Sequence, residues 1–127
     1  MKKISIQTHA RTEFVDITRP VLAAVAELGL ADGAFTVFVP HTTAGVTINE
    51  HADPDVVADI GAVLEKMAPW SAGYAHAEGN SAAHVKASLM GSSARVLLSG
   101  GRLCLGTWQG IFFCEFDGPR SREVWVG

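Results

Sequence analysis

The sequence holds two cysteines, one tyrosine and five prolines among 127 residues. Cys104 and Cys114 belong to no CxxC pair, so neither a thiolate metal centre nor a dithiol redox motif is indicated. Each lies in an apolar run and is expected to be a reduced, buried or half-buried thiol of a cytoplasmic protein. No apolar run is long enough to cross a bilayer, and the start, Met1-Lys2-Lys3-Ile4, turns polar at Ser5, Gln7 and Thr8 without the core of a signal peptide. A membrane partner is therefore not expected. Neither is a nucleic-acid partner: the net charge is −3, and no block of Lys or Arg exceeds two residues. HExxH, the EF-hand loop and the GxxxxGK[ST] phosphate loop are absent too, as are internal repeats and low-complexity stretches.

What is present is a 48% hydrophobic chain of one-domain length, read as a single domain over residues 1–127. Residues 2–9 alternate as a half-buried strand, and Phe14 to Ile17 make a second. Thr18 caps a helix whose body is Val21 to Ala26 and whose stop is Gly29. Strands follow over Ala34–Val39 and Val46–Asn49. Asp53-Pro54 opens a second helix with Val56, Val57, Ile60, Val63, Leu64 and Met67 at helical spacing, and Pro69 closes it. A polar and aromatic loop, 70–80, leads to a helix over Ser81–Met90 that stops at Gly91. Arg95–Ser99, Arg102–Leu105, Gly110–Phe116 and Arg122–Val126 read as strands between glycine turns. Strands first, helices in the middle and strands last predict an α+β fold: a mainly antiparallel sheet or sandwich with two to three helices.

Three short runs carry polar groups that a core does not need: His41-Thr42-Thr43-Ala44-Gly45, Asn49-Glu50-His51 and Gly106-Thr107-Trp108-Gln109-Gly110-Ile111. Each adjoins a β-branched or apolar run, which places them at strand ends, where a ligand is usually served. His41, His51, His76 and His84 lie mid-chain. Three imidazoles with an open position make a catalytic zinc site, and the plainer reading is ordinary hydrogen bonding at segment ends. A carboxylate such as Glu50 or Glu78 beside an imidazole orients it or acts as base. Asn49, Asn80 and Gln109 both donate and accept, which suits a ring edge; Asn80 or Ser81 also serves as a helix cap. Thr42, Thr43 and Thr107, beside small residues, suit a phosphate or a plain turn. Trp108 stacks on a ring or fills the core.

The strings HTTAGVTINEHADPDV (41–56), HVKASLMGSS (84–93) and GGRLCLGTWQGIFFCEFDGPR (100–120) resemble the YjbQ-like family of secondary thiamine-phosphate synthases. The resemblance covers most of the chain, and GTWQGI is its most specific part. It implies a compact, mainly antiparallel α+β fold, a homotrimer, and a polar pocket near a subunit interface that takes a small phosphorylated metabolite. By this resemblance His41 and His84 are acid/base or ligand groups and Glu50 is their orienter or base. Asn49 and Gln109 read a ring edge, Thr43 and Thr107 contact phosphate, and Thr42, Asn80 and Trp108 complete the substrate-binding set. A divalent metal, zinc or magnesium, would fall to His41, His76 and His84. The chain departs from the family at Gly79-Asn80-Ser81-Ala82-Ala83, where many relatives carry an Asp-Asp-Asn stretch and a proline, so this loop lacks acidic groups for magnesium. The expected reaction joins hydroxymethylpyrimidine pyrophosphate to thiazole phosphate. The alternatives are a metal-dependent hydrolase using the histidines, and a trimer that binds a metabolite without converting it.

Overall fold

A computed structural model describes the whole chain, Met1–Gly127. Its elements are β1 (Lys2–Gln7), β2 (Glu13–Asp16), α1 (Thr18–Glu27), β3 (Gly33–Phe38), β4 (Ala44–Glu50), α2 (Pro54–Met67), α3 (Ser81–Met90), β5 (Ser93–Ser99), β6 (Arg102–Leu103), β7 (Gln109–Glu115) and β8 (Ser121–Val126). The strands form two antiparallel sheets, one in the order β1-β8-β3-β5-β6 and one in the order β2-β7-β4. This is the α+β arrangement the sequence predicts, with three helices.

The layering follows from where alternate side chains go. Ile6, Val37, Val96 and Val126 of the larger sheet meet Val46, Ile111 and Phe113 of the smaller one, and α1 joins them through Val21, Ala24 and Val25. On the far side of the smaller sheet, Leu64 of α2 and Ala83 and Ala87 of α3 cover Phe112, Cys114 and Phe116. β7 is thus buried on both faces, which is why it reads as a nearly unbroken apolar run rather than an alternating one. Burying one of its phenylalanines contributes roughly 1.5–3 kcal/mol.

The helix ends show the local chemistry. Asp53 accepts the N–H of Asp55 at 2.9 Å, and Pro54 opens α2 as expected. At α1 the expectation needs correcting: Ile17 holds the cap position, and Asp16 Oδ1 takes the N–H of Thr18 at 2.9 Å and its hydroxyl at 2.6 Å. The aspartate outcompetes because Thr18 Oγ1 is itself the acceptor for Ile111 N–H at 2.9 Å. Asn80 precedes α3 without a side-chain cap bond, its amide donating instead to Asp117 Oδ2 at 2.9 Å. Cys104 is a second correction. It is exposed because β6 ends at Leu103, whereas Cys114 is fully buried and its thiol is pushed up to about 12 by that burial.

Candidate functional site

β4 divides the predicted polar groups. His41, Thr42 and Thr43 precede its first residue, and Asn49, Glu50 and His51 lie at its other end. At ~3.3 Å per residue the two ends of a seven-residue strand stand about 20 Å apart. Within one chain, then, Glu50 cannot orient His41 or His84, contrary to the expectation from sequence. The reason is conformational: residues close in sequence separate quickly along an extended strand.

At the first end an open cleft of ≈ 490 Å³ is lined by His41, Thr42, Ala44, His84, Ala87, Ser88, Gly91 and Ser92. Gly45 permits it. A Cβ there would stand 2.7 Å from the carbonyl oxygen of Gly91, so only a bare backbone lets the end of α3 seat on β4. The seating is fixed by Val46 N–H donating to Gly91 O at 3.0 Å and Val39 N–H donating to Ser92 O at 2.7 Å. Gly45→Ala is expected to push α3 off the strand, costing about 1–3 kcal/mol by overpacking and opening the cleft. Chemical denaturation reads the first effect and protection of the α3 amides from hydrogen exchange reads the second.

His41 Nε2 lies 2.9 Å from the backbone nitrogen of Glu123 and 3.2 Å from its carbonyl oxygen; accepting the shorter bond, from the N–H, assigns the proton of the neutral ring to Nδ1. Burial, aided by the charge of Arg122, holds its pKa below the ordinary imidazole value, so His41 is neutral at pH 7. His84 projects from α3 and meets the ring of His76 edge to face, with centroids 5.4 Å apart. No group of three or more His, Cys, Asp or Glu side chains is placed to hold a metal. The expected set of His41, His76 and His84 is not assembled in one chain, and one nitrogen of His41 is already taken. These donors do not fit a three-ligand metal centre.

Thr43 is only 5% exposed, and its hydroxyl accepts from Arg122 Nη2 at 2.8 Å. It therefore serves the protein interior rather than the expected phosphate. The same guanidinium grips Glu115 with two bonds, Nε to Oε1 at 2.9 Å and Nη2 to Oε2 at 2.5 Å, and Thr8 donates to Oε1 at 2.8 Å. Glu115 belongs to the smaller sheet and Arg122 to the larger, so a buried ion pair ties the layers together directly behind His41. Sequence reasoning did not single out this pair, nor Ser88 and Ser92. The available signal was a glutamate inside the run Phe112-Phe113-Cys114-Glu115-Phe116, where a charge survives only if it is paired.

At the far end, Gly106–Gln109 forms a turn that Gln109 closes upon itself, its Oε1 accepting Gly106 N–H at 2.8 Å. Asn49 Oδ1 likewise accepts the N–H of Glu50 at 2.7 Å. Thr107 is exposed and Trp108 is 63% exposed, so the indole does not fill the core. His51 N–H donates to Trp108 O at 2.9 Å, and the His51 ring lies on Gly110, where a Cβ would stand 2.5 Å from Nδ1. That Nδ1 also meets Asp16 Oδ2 at 2.9 Å. Burial alone would raise the pKa of Asp16, but hydrogen bonds from Thr18 and His51 outweigh it and leave the carboxyl below its ordinary value. Glu78 stands exposed in the loop before α3, and Asn80 faces Asp117 rather than the cleft.

Known proteins match this chain throughout. The family model described as UPF0047 protein YjbQ-like matches residues 2–127. UPF0047 protein YugU of Bacillus subtilis is 50% identical over 127 residues, covering 99% of this chain and 96% of that protein. UPF0047 protein MJ1081 of Methanocaldococcus jannaschii is 51% identical over 124 residues, covering 98% and 90%. A crystal structure of an uncharacterized YjbQ/UPF0047-family protein from Clostridium acetobutylicum superposes with a TM-score of 0.97 at 55% identity, over 100% of this chain and 98% of that one. The conserved hypothetical protein TT1486 of Thermus thermophilus gives a TM-score of 0.93 at 44% identity, over 100% and 98%. The chain belongs to the UPF0047/YjbQ family.

Proposed function

We propose that the β4–α3 cleft binds a small phosphorylated metabolite, and that the chain is a transferase of the thiamine-phosphate synthase type. The observation that carries this reading is the convergence of His41 and His84 with the hydroxyls of Thr42 and Ser92 on one cleft of ≈ 490 Å³. That volume lies in the range of small-molecule sites, and the lining supplies donors without a carboxylate to repel an anion. In the reaction the thiazole nitrogen supplies the electron pair of a new C–N bond to the pyrimidine methylene. The C–O bond to pyrophosphate breaks, and its electron pair leaves on oxygen. The chain's part is to hold the two halves in line and to place hydrogen-bond donors where the leaving charge develops. The Nδ1–H of neutral His41 is one such donor, and His84 is the other titratable group at the cleft.

A homotrimer belongs to the same proposal. One chain leaves Trp108 and Leu97 63% and 59% exposed and separates its two polar ends, a pattern that a neighbouring copy would resolve. The test is formation of thiamine phosphate from hydroxymethylpyrimidine pyrophosphate and thiazole phosphate. Absence of turnover at high enzyme concentration, or an unchanged rate in His84→Ala, overturns the assignment. Thermal stabilisation by a metabolite that is never converted would favour the binding trimer instead. The metal-dependent hydrolase is the weaker reading, because one chain does not gather His41, His76 and His84 into a metal centre. Stoichiometric zinc or magnesium, lost in both His41→Ala and His84→Ala, would move the function there.

A further inference from the structure

A second cleft of ≈ 460 Å³ opens on the outer face of the β1–β8 pair, lined by Ser5, Ile6, Gln7, His41, Ser121, Arg122 and Glu123. His41 is the one residue it shares with the β4–α3 cleft. We infer that the two clefts are halves of one site. An amine-bearing heteroaromatic ring lies in the β1–β8 half, its phosphate tail lies in the β4–α3 half, and His41 stands at the joint between them. This rests on the proposed function and assigns which part of the substrate goes where.

The linings fix that polarity. The β4–α3 half offers the hydroxyls of Thr42 and Ser92 and the imidazole of His84, with no carboxylate, while the Ser88 hydroxyl is spent on the His84 carbonyl at 2.9 Å. The β1–β8 half contains the carboxylate of Glu123. Its Oε2 takes the Trp125 indole N–H at 3.0 Å, leaving Oε1 as an acceptor for a ring amine. Gln7 and Ser121 are ordered beside it, Ser121 Oγ donating to Gln7 Oε1 at 2.9 Å. Arg122 also lines this half, but its charge is matched by Glu115, so it does not offset Glu123 for an incoming phosphate. A phosphate is therefore opposed where Glu123 stands and accepted where the hydroxyls stand. At the joint, His41 keeps Nε2 on the Glu123 backbone N–H and has Nδ1–H left to donate to the oxygen that links ring methylene to phosphate.

Calorimetric titration with three probes separates the halves: hydroxymethylpyrimidine, inorganic pyrophosphate, and hydroxymethylpyrimidine pyrophosphate. Glu123→Gln keeps the side-chain size and the backbone N–H. It is expected to weaken the free pyrimidine and the full substrate by ~10-fold while leaving pyrophosphate unchanged, the usual size of one lost charged hydrogen bond. Thr42→Ala with Ser92→Ala is expected to weaken pyrophosphate and the full substrate while leaving the free pyrimidine unchanged. If the full substrate binds but both variants act on all three probes alike, or on none, the division of the site is wrong and the proposed function stands. If none of the probes binds the parent protein, both fall together.

Discussion

Glu115→Gln is expected to lower stability by about 3–5 kcal/mol, the usual cost of removing one partner from a buried ion pair. The substitution changes almost no volume, so the loss comes from electrostatics rather than from a cavity. Glu115 is fully buried and Arg122 is 5% exposed, and the guanidinium would be left in the interior facing a neutral amide. Urea unfolding of the variant beside the parent measures the difference; a loss under about 1 kcal/mol would show that water reaches the pair. The same group sets an acid limit. Burial pushes the Glu115 carboxyl upward, but hydrogen bonds from Arg122 and Thr8 and the Arg122 charge more than compensate, and its pKa lies below the ordinary 4.5. The folded state thus holds its proton less readily than the unfolded chain. The resulting stability is complete above about pH 4.5 and is lost as pH falls through the lower, folded value. In Glu115→Gln this part of the acid limb should disappear.

The second large effect is on activity. His41→Ala is expected to reduce the rate of the proposed transfer by about 10²–10⁴, the range for a positioned acid–base group. Rate against pH carries the sharper information. If the reaction uses neutral His41, its rate should hold as pH falls through 6.5 and drop only at the lower value that burial and Arg122 impose. An acid limb centred at or above 6.5, or one that survives in His41→Ala, would assign the limb to another group. Because Arg122 also anchors the interior, His41→Asn makes a useful companion: it restores a polar side chain beside the Glu123 backbone without restoring a titratable ring.

The elements of this fold were legible where local chemistry decides them. Asp53-Pro54, Gly29 and Gly91 mark helix ends by capping, a fixed φ and a left-handed residue, all of which act within a few positions. The continuous apolar run of β7 pointed to a strand, though its two covering layers came from elements remote in sequence. The site was less legible for the same reason. The resemblance coupled Glu50 to His41 and His84, yet β4 carries Glu50 to the end opposite His41. Asp16 with His51, and Glu115 with Arg122, Thr8 and Thr43, are joined only by the stacking of one sheet on another. Register contributes too: the parity that sends Ile111 and Phe113 to the space between sheets sends Glu115 there as well, and β8 supplies Arg122 on the matching side.

β6 is two residues long, and the opposite margin of the larger sheet, β1, begins with exposed Lys2 and Lys3. A short border on one side and a charged one on the other discourage the addition of a foreign strand. Both margins of the larger sheet are accordingly protected from being lengthened, strand by strand, into an open-ended fibre.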